Sequence, residues 1–205
     1  MTLCSPRPLL TSYENGFVYC IDILYVMKGN KQRVCIIGAG PSGIAAIKNI
    51  SEQGIAVKAY DFNENVGGNW IYSENSSHSS VFETTHIISS KTLSQYEDFP
   101  FKSSVADYPS HSELCSYFQD YAKHFNLYPF IQFNTLVKHC DRLGENRWEV
   151  TIEYEGKEKK EIFTDLVVCN GHHWQPKHPS YPGDFMGEFI HSHDYKKAAP
   201  FKNKK

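Results

Sequence analysis

The run GAGPSG at positions 38–43 puts Gly38, Gly40 and Gly43 in G-x-G-x-x-G spacing, with Ala39, Pro41 and Ser42 between them. This spacing suits a loop that cradles a pyrophosphate. Gly38 permits a tight turn, Gly40 lets backbone approach the phosphates, and Gly43 lets helix and strand pack closely. A helix beginning at Pro41 offers its unpaired N–H groups and positive dipole end to the same charge. Proline is tolerated there because the first turn has no use for its missing N–H. A second group belongs with the loop. Asp61 ends the run Ala56–Tyr60, and its carboxylate is of the kind that accepts a ribose hydroxyl. A helix from Pro41 to Gln53 is about 20 Å long, and a strand over residues 56–61 returns about the same distance. Asp61 therefore comes back to the edge that holds the glycines.

The next residues bear on which dinucleotide is held. Gly67 and Gly68 follow Asp61 after a gap of five residues, and Asn69 and Trp70 come next. A nicotinamide unit has no need of a second glycine pair there. A larger cofactor, extended past the first loop, needs backbone close beside it, which favours FAD. A plain Gly-Gly turn is the other reading of the pair.

The elements that position these groups are legible. Val34, Ile36 and Ile37 lie in a short apolar run ahead of the loop and predict a buried parallel strand. Ile44, Ile47 and Ile50 share one helix face, with Ala45 and Ala46 beside them, and Gly54 stops the helix. Ser110 and Glu113 form a capping-box pattern ahead of Leu114, Phe118, Tyr121, Ala122 and Phe125 at helical spacing, with Glu113, Gln119, Asp120 and Lys123 turned outward. Alternating residues then predict a meander over roughly 135–141, 147–154 and 158–163. DLVVCNG at 165–171 predicts a further buried strand, whose carboxyl end carries Asn170 and Gly171 to the Gly38 loop. The whole is an α/β chain: a Rossmann-like parallel sheet plus an antiparallel β-meander.

Bulk properties set the limits. With 205 residues, 40% of them hydrophobic, the chain can build one sizeable core. A net charge of −2 argues against nucleic acid as a partner. Cysteines 4, 20, 35, 115, 140 and 169 form no CxxC pair, so a reduced, cytoplasmic protein is expected. The longest apolar stretch, Phe17 to Met27, contains Asp22 and falls short of the roughly 20 apolar residues of a membrane span. Residues 1–26 have no clear period, and Met27 runs directly into the first strand. The expectation is an N-terminal extension over 1–30 outside the fold, with Met27 as a candidate start.

From about Lys31 to its last residue the chain resembles the flavin-containing monooxygenases. GAGPSG, Asp61, GGNW at 67–70, SSKTLSQYEDFP at 89–100 and VVCNGHHWQP at 167–176 match in order. So does F-x-G-x-x-x-H-x-x-x-[FY], carried by Phe185, Gly187, His191 and Tyr195. The resemblance implies a glutathione-reductase-like FAD/NAD(P)-binding fold over 31–196, incomplete here, with 197–205 leading toward an NADPH-binding domain not among these residues. It also implies a reaction: NADPH reduces FAD, and the reduced flavin uses O2 to oxygenate a small-molecule amine or sulfur substrate. Residues 38–43 would hold the FAD pyrophosphate and Asp61 the adenosine ribose. Asn69 and Trp70 would lie along the cofactor, and Ser89 close to the flavin. One departure stands out: where many members carry asparagine just before Ser89, this chain has Ile88, which cannot donate a hydrogen bond.

Three functions follow as alternatives. The chain is the FAD-binding part of a monooxygenase, inactive or weak alone; or a non-catalytic module that gains NADPH binding from a partner chain; or a nicotinamide-dependent dehydrogenase using only the first loop. The glycine pair and the Phe185–Tyr195 signature argue against the third. Unpaired sheet edges and uncovered apolar faces would make the isolated chain aggregation-prone and a weak FAD binder. Ten histidines raise a metal reading, yet His172, His173, His178, His191 and His193 show no HExxH spacing and no CxxC companion, so solvated or packing roles are expected. Trp148 and Trp174 read as packing residues.

Overall fold

In the computed structural model, residues 32–75 and 79–204 are described. The N-terminal extension and the candidate start at Met27 lie outside the described residues.

Strand β1 (Arg33–Ile37) is followed by α1 (Pro41–Glu52) and β2 (Ala56–Tyr60). Next come the short α2 (Lys91–Ser94), the long α3 (His111–His124) and β3 (Ile131–Gln132). The meander is β4 (Thr135–Gly144), β5 (Arg147–Tyr154) and β6 (Lys157–Phe163), and β7 (Asp165–Val168) returns to the first sheet. That sheet has the order β3-β2-β1-β7 and is parallel throughout, while the meander forms a separate antiparallel sheet of order β4-β5-β6.

The two sides of β1 explain the layering. Val34 and Ile36 enter one core with Ile44, Ile47, Leu114, Phe118 and Tyr121, which come from α1 and α3. Cys35, the residue between them, enters a second core with Val150, Ile152 and Phe163 of the meander. All three β1 residues are fully buried, as a strand covered on both faces requires. Burying the Val34 and Ile36 side chains contributes about 1.5–3 kcal/mol each. Burial pushes the Cys35 thiol up to about 12, so it stays a protonated, unreactive hydrophobe.

One charged cluster ties the two sheets. Glu161 of β6 is buried and pairs with Arg33 (2.6 Å), Lys58 (2.9 Å) and Lys159 (3.0 Å), which belong to β1, β2 and β6 itself. Burial pushes its carboxyl up, but hydrogen bonds from the three cations more than offset this and hold it at about 2.

Helix α3 carries the expected capping box: Ser110 accepts from the Glu113 N–H, and Glu113 accepts from the Ser110 N–H. Two expectations need adjusting, and one strand is new. Gln119 does not face outward; its side-chain amide donates to the Val66 carbonyl at 3.2 Å. Strand β7 ends at Val168 and is only half-buried, with Val168 60% exposed. It pairs with β1 on one side and has no second neighbour among the described residues, so its outer edge stays open. Strand β3 has no counterpart in the sequence reading. It is two residues long, too short for any periodicity, and forms by pairing with the end of β2.

Candidate dinucleotide-binding site

The carboxyl edge of the parallel sheet gathers most of the residues singled out above. Gly38 leaves β1 with φ +99°, a backbone state that a side chain resists, and its N–H donates to the Tyr60 carbonyl at 2.8 Å. A Cβ on Gly38 would lie 2.3 Å from the Cys169 carbonyl oxygen and 3.6 Å from the Asn170 Cα. The end of β7 thus sits directly against the loop, and Asn170 is placed there as the strand order predicts. Gly171 is exposed, and nothing stands within 4 Å of where its Cβ would be. A Cβ on Gly43 would strike the Gly38 carbonyl oxygen at 2.0 Å, so this glycine lets α1 press on the turn.

Gly40 is the N-cap of α1, extended in backbone and without a side-chain cap, and Pro41 holds the first helical position. No acidic residue occupies the first turn. The helix start therefore presents donors with no carboxylate of its own competing for them, and Ser42 is exposed beside them.

Asp61 is buried and meets the loop by direct contact. Its Oδ2 accepts from the Ala39 N–H at 2.5 Å, while Oδ1 accepts from the Asn63 N–H (2.7 Å) and the Asn63 side-chain amide (2.9 Å). The carboxylate at the end of β2 fastens the middle of the glycine loop.

The second glycine pair touches the first. Gly68 has φ +56°, and a Cβ on it would lie 2.9 Å from the Gly40 Cα. These two backbones pack with no side chain between them and form a continuous glycine surface. Asn69 and Trp70 follow in a single 3-10 turn, Gly68–Trp70. The Asn69 Oδ1 accepts from the Ser80 N–H (2.9 Å) and hydroxyl (3.1 Å), and Trp70 packs on the larger core.

The 89–100 block buttresses this arrangement. The Tyr96 hydroxyl donates to the Pro41 carbonyl at 2.6 Å, and Asp98 pairs with Lys48 of α1 at 2.6 Å. Tyr96 also meets the Tyr121 ring of α3, with centroids 4.3 Å apart. Burial holds the Tyr96 phenol far above its usual pKa, so it remains a donor. Neither Tyr96 nor Lys48 stands out in the sequence as a site residue; the only signal for Tyr96 is its place in the 89–100 block, and Lys48 has none. Ser89 is not drawn into the gathering: it is exposed and bonds Ser94 at 2.6 Å, and the neighbouring Ile88 is fully exposed. In the signature, the Phe185 ring folds over Gly187, whose Cβ would lie 2.3 Å from it. Tyr195 packs on Phe82. His178 and His191 meet edge to face with ring centroids 5.1 Å apart, and among the described residues no group of three His, Cys, Asp or Glu side chains could hold a metal ion. Nor, among those residues, is any helix long and apolar enough to cross a membrane.

A parallel sheet with a glycine loop at a helix start, and an acid from the next strand closing on that loop, defines a dinucleotide-binding domain of the Rossmann type. Residues 31–205 match the model of the flavin-binding monooxygenase-like family, and the chain belongs to that family. It is 34% identical over 185 residues to flavin-containing monooxygenase 5 of Rattus norvegicus, covering 85% of this chain and 35% of that protein. It is 35% identical over 184 residues to dimethylaniline monooxygenase (N-oxide-forming) 2 of Cavia porcellus, covering 85% and 34%. Among solved structures, the S-allyl-L-cysteine S-oxygenase of Allium sativum shares the fold with a TM-score of 0.77 at 24% identity, over 83% of this chain and 44% of that one. The chain spans about a third of the length of the curated relatives it matches.

Proposed function

We propose that this chain is the FAD-binding portion of a flavin-dependent monooxygenase that uses NADPH and O2 to oxygenate a small amine or sulfur nucleophile. The observation that carries the reading is the contact between Gly68 and Gly40. It prolongs the side-chain-free backbone surface beyond what an ADP group alone needs, as a cofactor extended past the first loop would require. The α1 start would hold the pyrophosphate. Asp61 already takes three hydrogen bonds from the chain, and a carboxylate has about four acceptor positions, so the remaining one suits a ribose hydroxyl. When bound, FAD would carry electrons from NADPH to O2 and deliver one oxygen atom to the substrate. Oxygenation at nitrogen is the activity named for the Cavia porcellus relative.

The chain's own part is to bind and orient. Tyr96 and the Lys48–Asp98 pair hold α1 against α3, which keeps the helix start aimed at the phosphates. Titration of the purified chain with FAD, followed by quenching of flavin fluorescence, tests the proposal. Saturable binding that Asp61→Ala weakens at least tenfold supports it. Binding of NADH with no affinity for FAD would replace it with the dehydrogenase alternative.

A further inference from the structure

Lys196 is buried, at 8% exposure, one residue beyond the Phe185–Tyr195 signature. Its ammonium donates to the Ser79 carbonyl, and its own carbonyl accepts from the Glu83 N–H at 2.8 Å. Ser79 is buried as well, and its hydroxyl donates to the Asn69 carbonyl at 2.7 Å. Ser80 next to it donates twice to the Asn69 Oδ1. A backbone N–H can only donate, so the Ser80 bond settles which end of the Asn69 amide is oxygen. The other end is a two-hydrogen donor, with no acceptor among the described residues. Asn69 itself stands next to the Gly68 that touches Gly40.

An apolar side chain of equal volume would fill the space at 196 without the cost of desolvating a charge. The ammonium therefore has a reason beyond packing. Burial pushes its pKa down, partly countered by Asp194, and the Ser79 carbonyl is the acceptor that the charge has found.

We propose that Lys196 is a positioning residue for the cofactor: through Ser79 and Ser80 it fixes the Asn69 turn, and so the Asn69 amide donor, beside the glycine surface. The ligand group served is a hydrogen-bond acceptor of the bound dinucleotide. This gives the segment after the signature a definite task, which is to couple the chain beyond residue 191 to the cofactor turn at 67–70. The proposal rests on the flavin reading above.

The test compares wild type, Lys196→Met, Ser79→Ala and the double variant, with two readouts besides thermal melting. FAD affinity should fall about tenfold in Lys196→Met, the scale expected for losing one charged hydrogen bond. Hydrogen exchange in the cofactor-free protein should speed up at the Trp70 and Ile71 amides, which bond Gly67 and Gly68, while the meander amides stay unchanged. Because both side chains act on one path, the double variant should be no worse than the worse single variant. The proposal is overturned by affinity within twofold of wild type, by exchange rising equally across the meander, or by additive effects in the double variant. If Lys196→Met does not fold, Ser79→Ala takes its place, and the same affinity and exchange results support or overturn the proposal. A wild type that binds no FAD sinks the flavin reading instead, and the exchange arm still decides whether Lys196 governs residues 67–70.

Discussion

Replacing Gly38 with alanine tests the central turn, and its cost can be worked from two separate features. The first is backbone strain. At φ +99° a side chain is disfavoured by about 1–3 kcal/mol. The second is overlap. The new Cβ would stand 2.3 Å from the Cys169 carbonyl oxygen, so β7 or the loop must shift by about 1 Å, at about 1–3 kcal/mol for overpacking. The sum is about 2–6 kcal/mol, against a total stability of about 5–15 kcal/mol. At about 2–4 °C per kcal/mol for a chain of this size, melting should drop by about 10 °C, the middle of the range those figures allow. Gly54→Ala is the control. Gly54 also has positive φ, at +73°, but nothing lies within 4 Å of its would-be Cβ, so it carries the strain without the overlap. It should lose only about 1 kcal/mol. Thermal melting of both variants, with urea unfolding to confirm, is the assay. If Gly38→Ala melts within about 3 °C of wild type, a shift worth only about 1 kcal/mol, or no lower than Gly54→Ala, the idea of β7 pressed on the turn is refuted.

Other expectations concern the loop, the cluster between the sheets and the α1 buttress. Asp61→Asn turns an N–H donor toward the Ala39 or Asn63 N–H groups, and should destabilise by about 1–3 kcal/mol and weaken FAD binding; unchanged urea midpoints would exclude this. Glu161 is held at about 2, below its ordinary value, so its contribution is present above about pH 4.5 and lost as pH falls toward 2. That contribution is about 3 kcal/mol, and it should appear as a stability difference between wild type and Glu161→Gln at about pH 6 that shrinks by about pH 3. A difference that stays constant with pH would contradict the linkage. Tyr96→Phe removes the bond to the Pro41 carbonyl and should cost about 1 kcal/mol in urea unfolding, together with a measurable loss of FAD affinity. Stability loss with no change in affinity would mean that Tyr96 serves packing alone.

Local pattern carried most of this architecture. The glycine loop, the helix behind it and the capping box at Ser110 are short-range signals, and the strands at Arg33–Ile37 and Ala56–Tyr60 have the bounds that their apolar runs mark out. The return of Asp61 to the loop followed from helix rise and strand rise alone. What stayed hidden depends on contacts distant in sequence. Tyr96 reaches Pro41 across 55 positions, and Lys196 reaches Ser79 across 117, with no period to announce either. Gln119 looks like a solvated helix residue in sequence because its acceptor, the Val66 carbonyl, belongs to a loop. The glycine pair reads as backbone close to a cofactor, and the structure adds that it is also backbone close to Gly40.

The most direct measurement is the visible difference absorbance of the purified chain as FAD is titrated in. A flavin in this groove predicts a perturbed flavin band that saturates near one equivalent, lost in Gly38→Ala and shifted to higher FAD concentration in Asp61→Asn. A flavin band left unperturbed at every FAD concentration, or saturable binding of NAD(H) in its place, would contradict it.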